Sequence, residues 1–325
     1  MRCLLFFFLV MVLAGCRQES PVAGFRTDLF YDSTRAYQPS AGLPYRPVDA
    51  DIWYPAFRGD SVLVFGDFLQ LLEKRANFFS APQRFSNIAQ TVSSSFAGMF
   101  HCSDSTRILS WKTASYAYAK PIPGQHPLIL YLASYNGMGY ENYPLLEALA
   151  REGYLVASLS SIGRYPGDMT MKNADLMEQV MDAEVLLDRL RPLIDTTRIA
   201  VMGYSWGGLA ATMLSPRRPE IRAVVSLDGS EFHHYGQNKT EDHDFQETAK
   251  LLRGRTLPAV YLRLQSGPLA PSDSVYAFSR HLLTPKDIRK VDSAGHEDFS
   301  CFPTIVRASG GCSATPAYPA VSRQV

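Results

Sequence analysis

Strand-length apolar runs alternate with amphipathic stretches from about residue 47 onward, and this alternation limits the possible folds more than any other feature. Leu128-Ile129-Leu130-Tyr131-Leu132-Ala133 is apolar throughout, as a strand covered on both faces must be. Comparable runs stand at 154–159, 198–202, 222–227, 258–264 and 288–291. Residues 48–54 alternate instead, which is the pattern of a half-buried edge strand. Helices are expected at about 142–152, 174–191, 206–214 and 273–283. In the second of these, Leu176, Val180, Ala183, Leu187 and Leu190 form one apolar stripe. Asp175 with Glu178 at its start reads as a capping box. Such a chain predicts an α/β fold, with a mostly parallel central sheet and helices on both faces.

No linker interrupts the pattern after residue 125, so one domain over 46–310 is expected, followed by a C-terminal tail at 311–325. Residues 57–125 break the alternation. Phe65, Phe68, Phe78, Phe79, Phe85, Phe96 and Phe100 crowd this segment. It reads as a helical insertion placed before the central strands, either roofing a pocket or serving as ordinary core.

The chain opens MRCLLFFFLVMVLAGC: Arg2, an apolar run from Leu4 to Leu13, then Ala14 and Gly15. That is the layout of a signal peptide over 1–15, too short for a permanent membrane span. Leu13-Ala14-Gly15-Cys16 resembles the lipobox of bacterial lipoproteins, which implies lipidation at Cys16; plain secretion with a chance cysteine is the alternative. Residues 16–45 carry turn formers and little periodicity, and read as a tether. Arg17 follows the cysteine where Asp would signal inner-membrane retention, so the resemblance implies an exported protein held by lipid at the cell envelope, at the outer membrane.

Charge offers no other reason for membrane binding. Lys+Arg number 32 and Asp+Glu 31 in 325 residues, a formal charge of +1. This balance gives no global case for nucleic acid or an anionic surface. The five Cys, at 3, 16, 102, 301 and 312, show no CxxC spacing, so no structural zinc site is expected. Export permits disulfides; Cys301 with Cys312 is one pairing, leaving Cys102 free.

Gly203-Tyr204-Ser205-Trp206-Gly207-Gly208 fits G-x-S-x-G between a predicted strand and a predicted helix. In that context the serine sits on a tight turn above the sheet edge. The Trp206 N–H then stands at a helix N-terminus, where it meets developing negative charge. A serine hydroxyl needs a base, and the base needs an orienting acid. In this fold they follow in the order Ser, acid, His. His101 and His126 precede Ser205 and fail that order; His233 and His234 follow any acid too closely. His243 lies in a polar stretch and His281 on a predicted helix. His296 stands in a loop after the last strand, and is the expected base. Asp228 ends the run 222–227 at the carboxyl edge of the sheet, where ligands collect. Asp273 is the alternative acid, and also suits a helix N-cap. The second oxyanion donor is expected from the loop after residue 133, with Asn136 before Tyr135.

Residues 46–308 resemble the platelet-activating-factor acetylhydrolase and dienelactone-hydrolase-like group of α/β-hydrolases. The resemblance rests on Asp51-Ile52-Trp53-Tyr54-Pro55, residues 127–131, Leu149-Ala150-Arg151-Glu152-Gly153-Tyr154, residues 201–208, Leu227-Asp228-Gly229 and Gly295-His296. It implies a serine esterase without metal or organic cofactor, acting on a small-molecule ester, and it supports Asp228 as the acid. Relatives often carry His-Gly where this chain has Ser134-Tyr135. Two rival readings remain: a prolyl-oligopeptidase-like peptidase, and a binding lipoprotein without turnover. The first lacks room for a propeller ahead of the elbow; an ordered Ser, Asp and His argues against the second.

Overall fold

The computed structural model describes residues 20–38, 42–80, 84–165, 169–232, 250, 252, 254–267 and 285–310. The expected leader at 1–15, Cys16, the helix at 273–283 with Asp273, and the tail at 311–325 lie outside these residues. The described chain begins with strands β1 (Val22–Gln38), β2 (Leu43–Ala56) and β3 (Val62–Val64). Helices α1 (Phe65–Phe79), α2 (Ile88–Met99) and α3 (Thr106–Leu109) follow, then β4 (Lys112–Ala117). Strands and helices next alternate as β5 (His126–Leu132), α4 (Tyr143–Arg151), β6 (Leu155–Leu159), α5 (Asn173–Leu190), β7 (Ile194–Tyr204), α6 (Trp206–Leu214) and β8 (Ile221–Leu227). β9 (Val260–Gln265), β10 (Lys286–Lys290) and α7 (Phe302–Gly310) complete the described elements.

The strands form one sheet, ordered β10-β9-β8-β7-β5-β6-β2-β1-β4-β3. Every neighbouring pair from β10 to β6 is parallel. β2 joins antiparallel to both β6 and β1, and β4 runs parallel to β1. The expected mostly parallel sheet is therefore present, and each central strand feeds two cores. Leu128, Leu130 and Leu132 face α5 and α6, while Ile129 and Tyr131 face α1, α4 and α7. The predicted α5 stripe, Leu176, Val180, Ala183, Leu187 and Leu190, is fully buried on the first face.

Five expectations need correction. Residues 22–38 are not part of a tether but an inner strand, with Ala23 and Phe25 buried. Its charged residues hid the pattern, because their partners are distant in sequence: Arg35 binds Glu178 at 2.7 Å and Asp182 at 2.5 Å on α5. Arg46 of β2 meets the same Asp182 at 2.7 Å. β2 accordingly lies inside the sheet, not at its edge. Asp175 does not cap α5; it accepts from the N–H and hydroxyl of Thr170, closing the turn ahead of the helix. The segment 57–125 contributes β3 and β4 as well as helices. Its Phe65 and Phe68 are core, stacked on Tyr143 and Tyr140 respectively. Finally, Cys102 is disulfide-bonded and Cys301 is a free, buried thiol, so Cys301 does not pair with Cys312.

One buried acid makes the packing pH-sensitive. Glu147 on α4 is 4% exposed, and its Oε1 accepts from the Ala114 N–H (3.0 Å) and the Ser115 hydroxyl (2.6 Å) of β4. Burial outweighs these bonds and pushes the carboxyl up from 4.5 to about 7. A raised acid binds a proton in the native state that the unfolded chain has released. Stability from Glu147 is therefore present below about 4.5 and lost as pH rises to about 7. Glu147→Gln keeps both bonds through its amide oxygen. Its melting temperature relative to the parent should rise by several degrees between pH 5 and pH 8; an unchanged difference would contradict the buried-acid assignment.

Candidate active site

The site lies at the carboxyl edge of the sheet, where the chain leaves β5 for β6 on one side and returns to β7 on the other. Such a reversal leaves a crevice between two strand ends. Ser205 sits between β7 and α6 with φ 53° and ψ −117°, a conformation a non-glycine residue rarely adopts. The turn is pinned on both sides. The Ser205 N–H donates to Leu227 O (3.0 Å), and its carbonyl accepts from the N–H groups of Gly208 (3.0 Å) and Ser230 (2.8 Å). A side chain at Gly207 would run into the Leu132 carbonyl, and one at Gly203 into the Gly207 carbonyl. Both glycines are needed for the backbones to approach this closely.

Asp228 follows β8, also at positive φ (45°), with its N–H on Leu264 O at 2.7 Å. Its carboxylate accepts from the Ser266 N–H (3.1 Å) and hydroxyl (2.9 Å). His296 opens a short 3₁₀ turn, His296–Phe299, after β10. Its Nδ1 lies 2.8 Å from Asp228 Oδ2, and its Nε2 lies 3.0 Å from Ser205 Oγ. An ionised carboxylate has no hydrogen to give, so Nδ1 donates and Nε2 is left to accept from the serine. The Tyr204 hydroxyl donates to the His296 carbonyl at 3.0 Å, and the two rings lie 5.1 Å apart. The three residues expected from the sequence are thus brought together.

Burial alone would raise the Asp228 carboxyl. The hydrogen bonds from His296 and Ser266, with the Arg263 charge, outweigh burial and hold it at about 2. Arg263 is one of the residues sequence reasoning missed. It stands on β9, 2% exposed, with Nη2 3.5 Å from Asp228 Oδ1. Its Nη1 donates to Gly229 O at 2.7 Å and to Glu231 Oε1 at 3.2 Å. The fully buried Glu231 also accepts from the hydroxyls of Ser226 and Tyr261. The available signal was an arginine inside an apolar strand run, Val260-Tyr261-Leu262-Arg263-Leu264.

Trp206 is the first residue of α6 and directly follows Ser205, so its N–H stands at the helix N-terminus. Its indole is 1% exposed and meets the Tyr135 ring edge-on at 6.2 Å, so it is core. In the loop after β5, the Asn136 N–H points at Met169 Sδ, 3.4 Å away. The Tyr135 hydroxyl donates to Met169 O at 2.8 Å. Asn136 is therefore the less suitable of the two expected loop donors, since its N–H is already directed at a thioether. Below the loop lies Glu141, 1% exposed, whose carboxyl burial pushes up to about 7 despite bonds from Ser134 and Tyr131. Helix α1 does wall a cleft beside this loop, through Leu72, Ala76 and Phe79 opposite Met138. No group of His, Cys, Asp and Glu suited to a metal ion occurs among the described residues.

Residues 127–264 match the family described as alpha/beta hydrolase fold. The chain has the α/β-hydrolase fold. A ferulic acid esterase from Streptomyces cinnamoneus superimposes with a TM-score of 0.62 at 21% identity, over 96% of this chain and 89% of that one. A Yersinia pestis protein named as a carboxymethylenebutenolidase is 27% identical over 40% of this chain. The matched region spans about half, 54%, of that relative's length.

The backbone contact at Gly207 yields a direct test. Gly207→Ala should lower the melting temperature by more than about 5 °C or abolish soluble expression, because overpacking against a fixed carbonyl has no relief. Gly98→Ala, whose added methyl meets nothing within 4 Å, should cause no loss. Equal behaviour of the two variants would mean that the β5–β7 contact is not tight.

Proposed function

We propose that the protein is a serine hydrolase that cleaves carboxylic esters through an acyl-enzyme. The observation that carries this reading is the continuous pair of hydrogen bonds from Ser205 through His296 to Asp228, at 3.0 and 2.8 Å. Ser205 Oγ bonds to the ester carbonyl carbon as its proton passes to His296 Nε2. The carbonyl oxygen becomes an oxyanion, met by the N–H of Trp206 and that of Tyr135. The bond to the leaving alcohol then breaks, and that alcohol takes the proton from Nε2. Water repeats the sequence against the acyl-serine, releasing the acid and restoring Ser205. Asp228 holds the imidazole in the productive tautomer and balances its charge when it is protonated.

The esterase named among the structural relatives supports ester chemistry over peptide cleavage. The site needs no metal in this mechanism, since charge at the carbonyl oxygen is met by backbone donors. We further propose that Cys16 carries lipid and tethers the enzyme to a membrane, as its lipobox implies. No described helix is long and apolar enough to cross one.

A fluorophosphonate probe should label the wild type and not Ser205→Ala; surviving label would remove Ser205 as nucleophile. Asp228→Asn should lose about 10⁴ in turnover on p-nitrophenyl acetate with its fold intact. A loss below tenfold would point to another acid, with Asp273→Asn the comparison. Cys16→Ser should move the protein from the membrane to the soluble fraction, and continued sedimentation with membranes would refute the lipid tether.

A further inference from the structure

The loop that would supply the second oxyanion donor rests on one buried carboxylate. Glu141 Oε1 accepts from the Ser134 N–H at 2.8 Å and the Tyr131 hydroxyl at 2.9 Å, and its Oε2 accepts from the Ser134 hydroxyl at 2.7 Å. Ser134 immediately precedes Tyr135. The loop is drawn tight there: the Gly137 N–H donates to Ser134 O at 2.8 Å, and a side chain at Gly137 would meet both Ser134 Oγ and Glu141 Oε2. Glu141 and its neighbour Asn142 also hold the histidine turn. The Glu141 carbonyl accepts from the Cys301 N–H at 2.9 Å. Asn142 Nδ2 donates to Phe299 O at 2.8 Å and to the Tyr131 hydroxyl at 2.6 Å. Phe299 ends the 3₁₀ turn that His296 begins.

We infer that Glu141 is a positioning residue: it sets the backbone at Ser134-Tyr135 relative to Ser205 and ties that loop to the turn carrying His296. This inference rests on the esterase reading above and deepens it. A buried carboxyl group is costly unless fully bonded. Here its bonds come from the Ser134 N–H and hydroxyl of the loop and from the Tyr131 hydroxyl of β5, not from a cation. A shift of a fraction of an ångström in a donor that binds only the transition state lowers kcat and leaves substrate affinity alone.

The test uses the full chain, with p-nitrophenyl acetate as substrate and a trifluoromethyl ketone as transition-state analogue. Glu141→Ala should lower kcat by about 10- to 100-fold with KM within about threefold. The analogue's inhibition constant should rise in step with the loss in kcat. Glu141→Gln, whose amide oxygen still accepts from the Ser134 N–H and whose nitrogen donates to its hydroxyl, should recover kcat to within about fivefold. Ser134→Ala removes one bond without emptying a carboxylate site, and covers the case in which Glu141→Ala does not fold. It should lower kcat about three- to tenfold at constant KM. Wild-type kcat in folded Glu141→Ala or in Ser134→Ala would overturn the inference. So would losses that follow the folded fraction while the analogue's affinity stays constant. A wild type with neither ester turnover nor fluorophosphonate labelling would overturn the esterase reading itself, and this inference with it.

Discussion

A close contact between two backbones, with no side chain in between, underlies the arrangement at the sheet edge. Gly207 lies against the Leu132 carbonyl, so the turn after β7 can press onto the end of β5. That contact places Ser205 beside the loop holding Tyr135. The turn's own hydrogen bonds then pass the alignment outward, from Ser205 to Leu227 of β8 and from Asp228 to Leu264 of β9. Three successive parallel strands thus deliver the hydroxyl, the carboxylate and its Ser266 clamp in order along one edge. Positive φ at both Ser205 and Asp228 is strain that this surrounding framework holds in place.

Behind the edge, charge is buried in pairs. Arg263 is shared between Asp228 and Glu231, Arg75 between Asp49 and Asp51, and Asp182 between Arg35 and Arg46. Such pairs are poor sources of stability, because desolvation cancels most of their attraction. What they supply here is direction. Asp228, flanked by Arg263 and held by the Ser266 N–H and hydroxyl, presents its remaining Oδ2 lone pair to the His296 ring.

Much of this was readable in the sequence, for reasons visible in particular residues. The apolar runs of β5, β6 and β7 are local signals, since a strand buried on both faces has no freedom to be polar. Ser205 was legible because glycine at 203 and 207 encodes a contact within the same short turn. Asp228 and His296 followed from chain order and from their places after strands. β1 was not legible: Arg26, Asp28, Asp32 and Arg35 interrupt its pattern, and Glu178 and Asp182, which pair with Arg35, lie more than 140 positions away. Arg263 and Glu231 escaped for a related reason, being partners 32 positions apart, whereas Glu141 escaped because its bonds go to the uncharged Ser134 and Tyr131. A charged residue in a run looks like an exposed one until its partners are known. Asp175 misled because a carboxylate ahead of a helix can serve the preceding turn as well as the helix.

Val22 already belongs to an inner strand, which narrows the geometry of the proposed lipid attachment at Cys16. Five residues lie between it and Cys16, so the leash is six Cα steps long and reaches about 20 Å at full extension. An enzyme so closely moored would not roam above the bilayer. Under the proposed lipid tether it would turn over that surface through a narrow range of orientations, and under the proposed activity the esters nearest the lipid would reach it first.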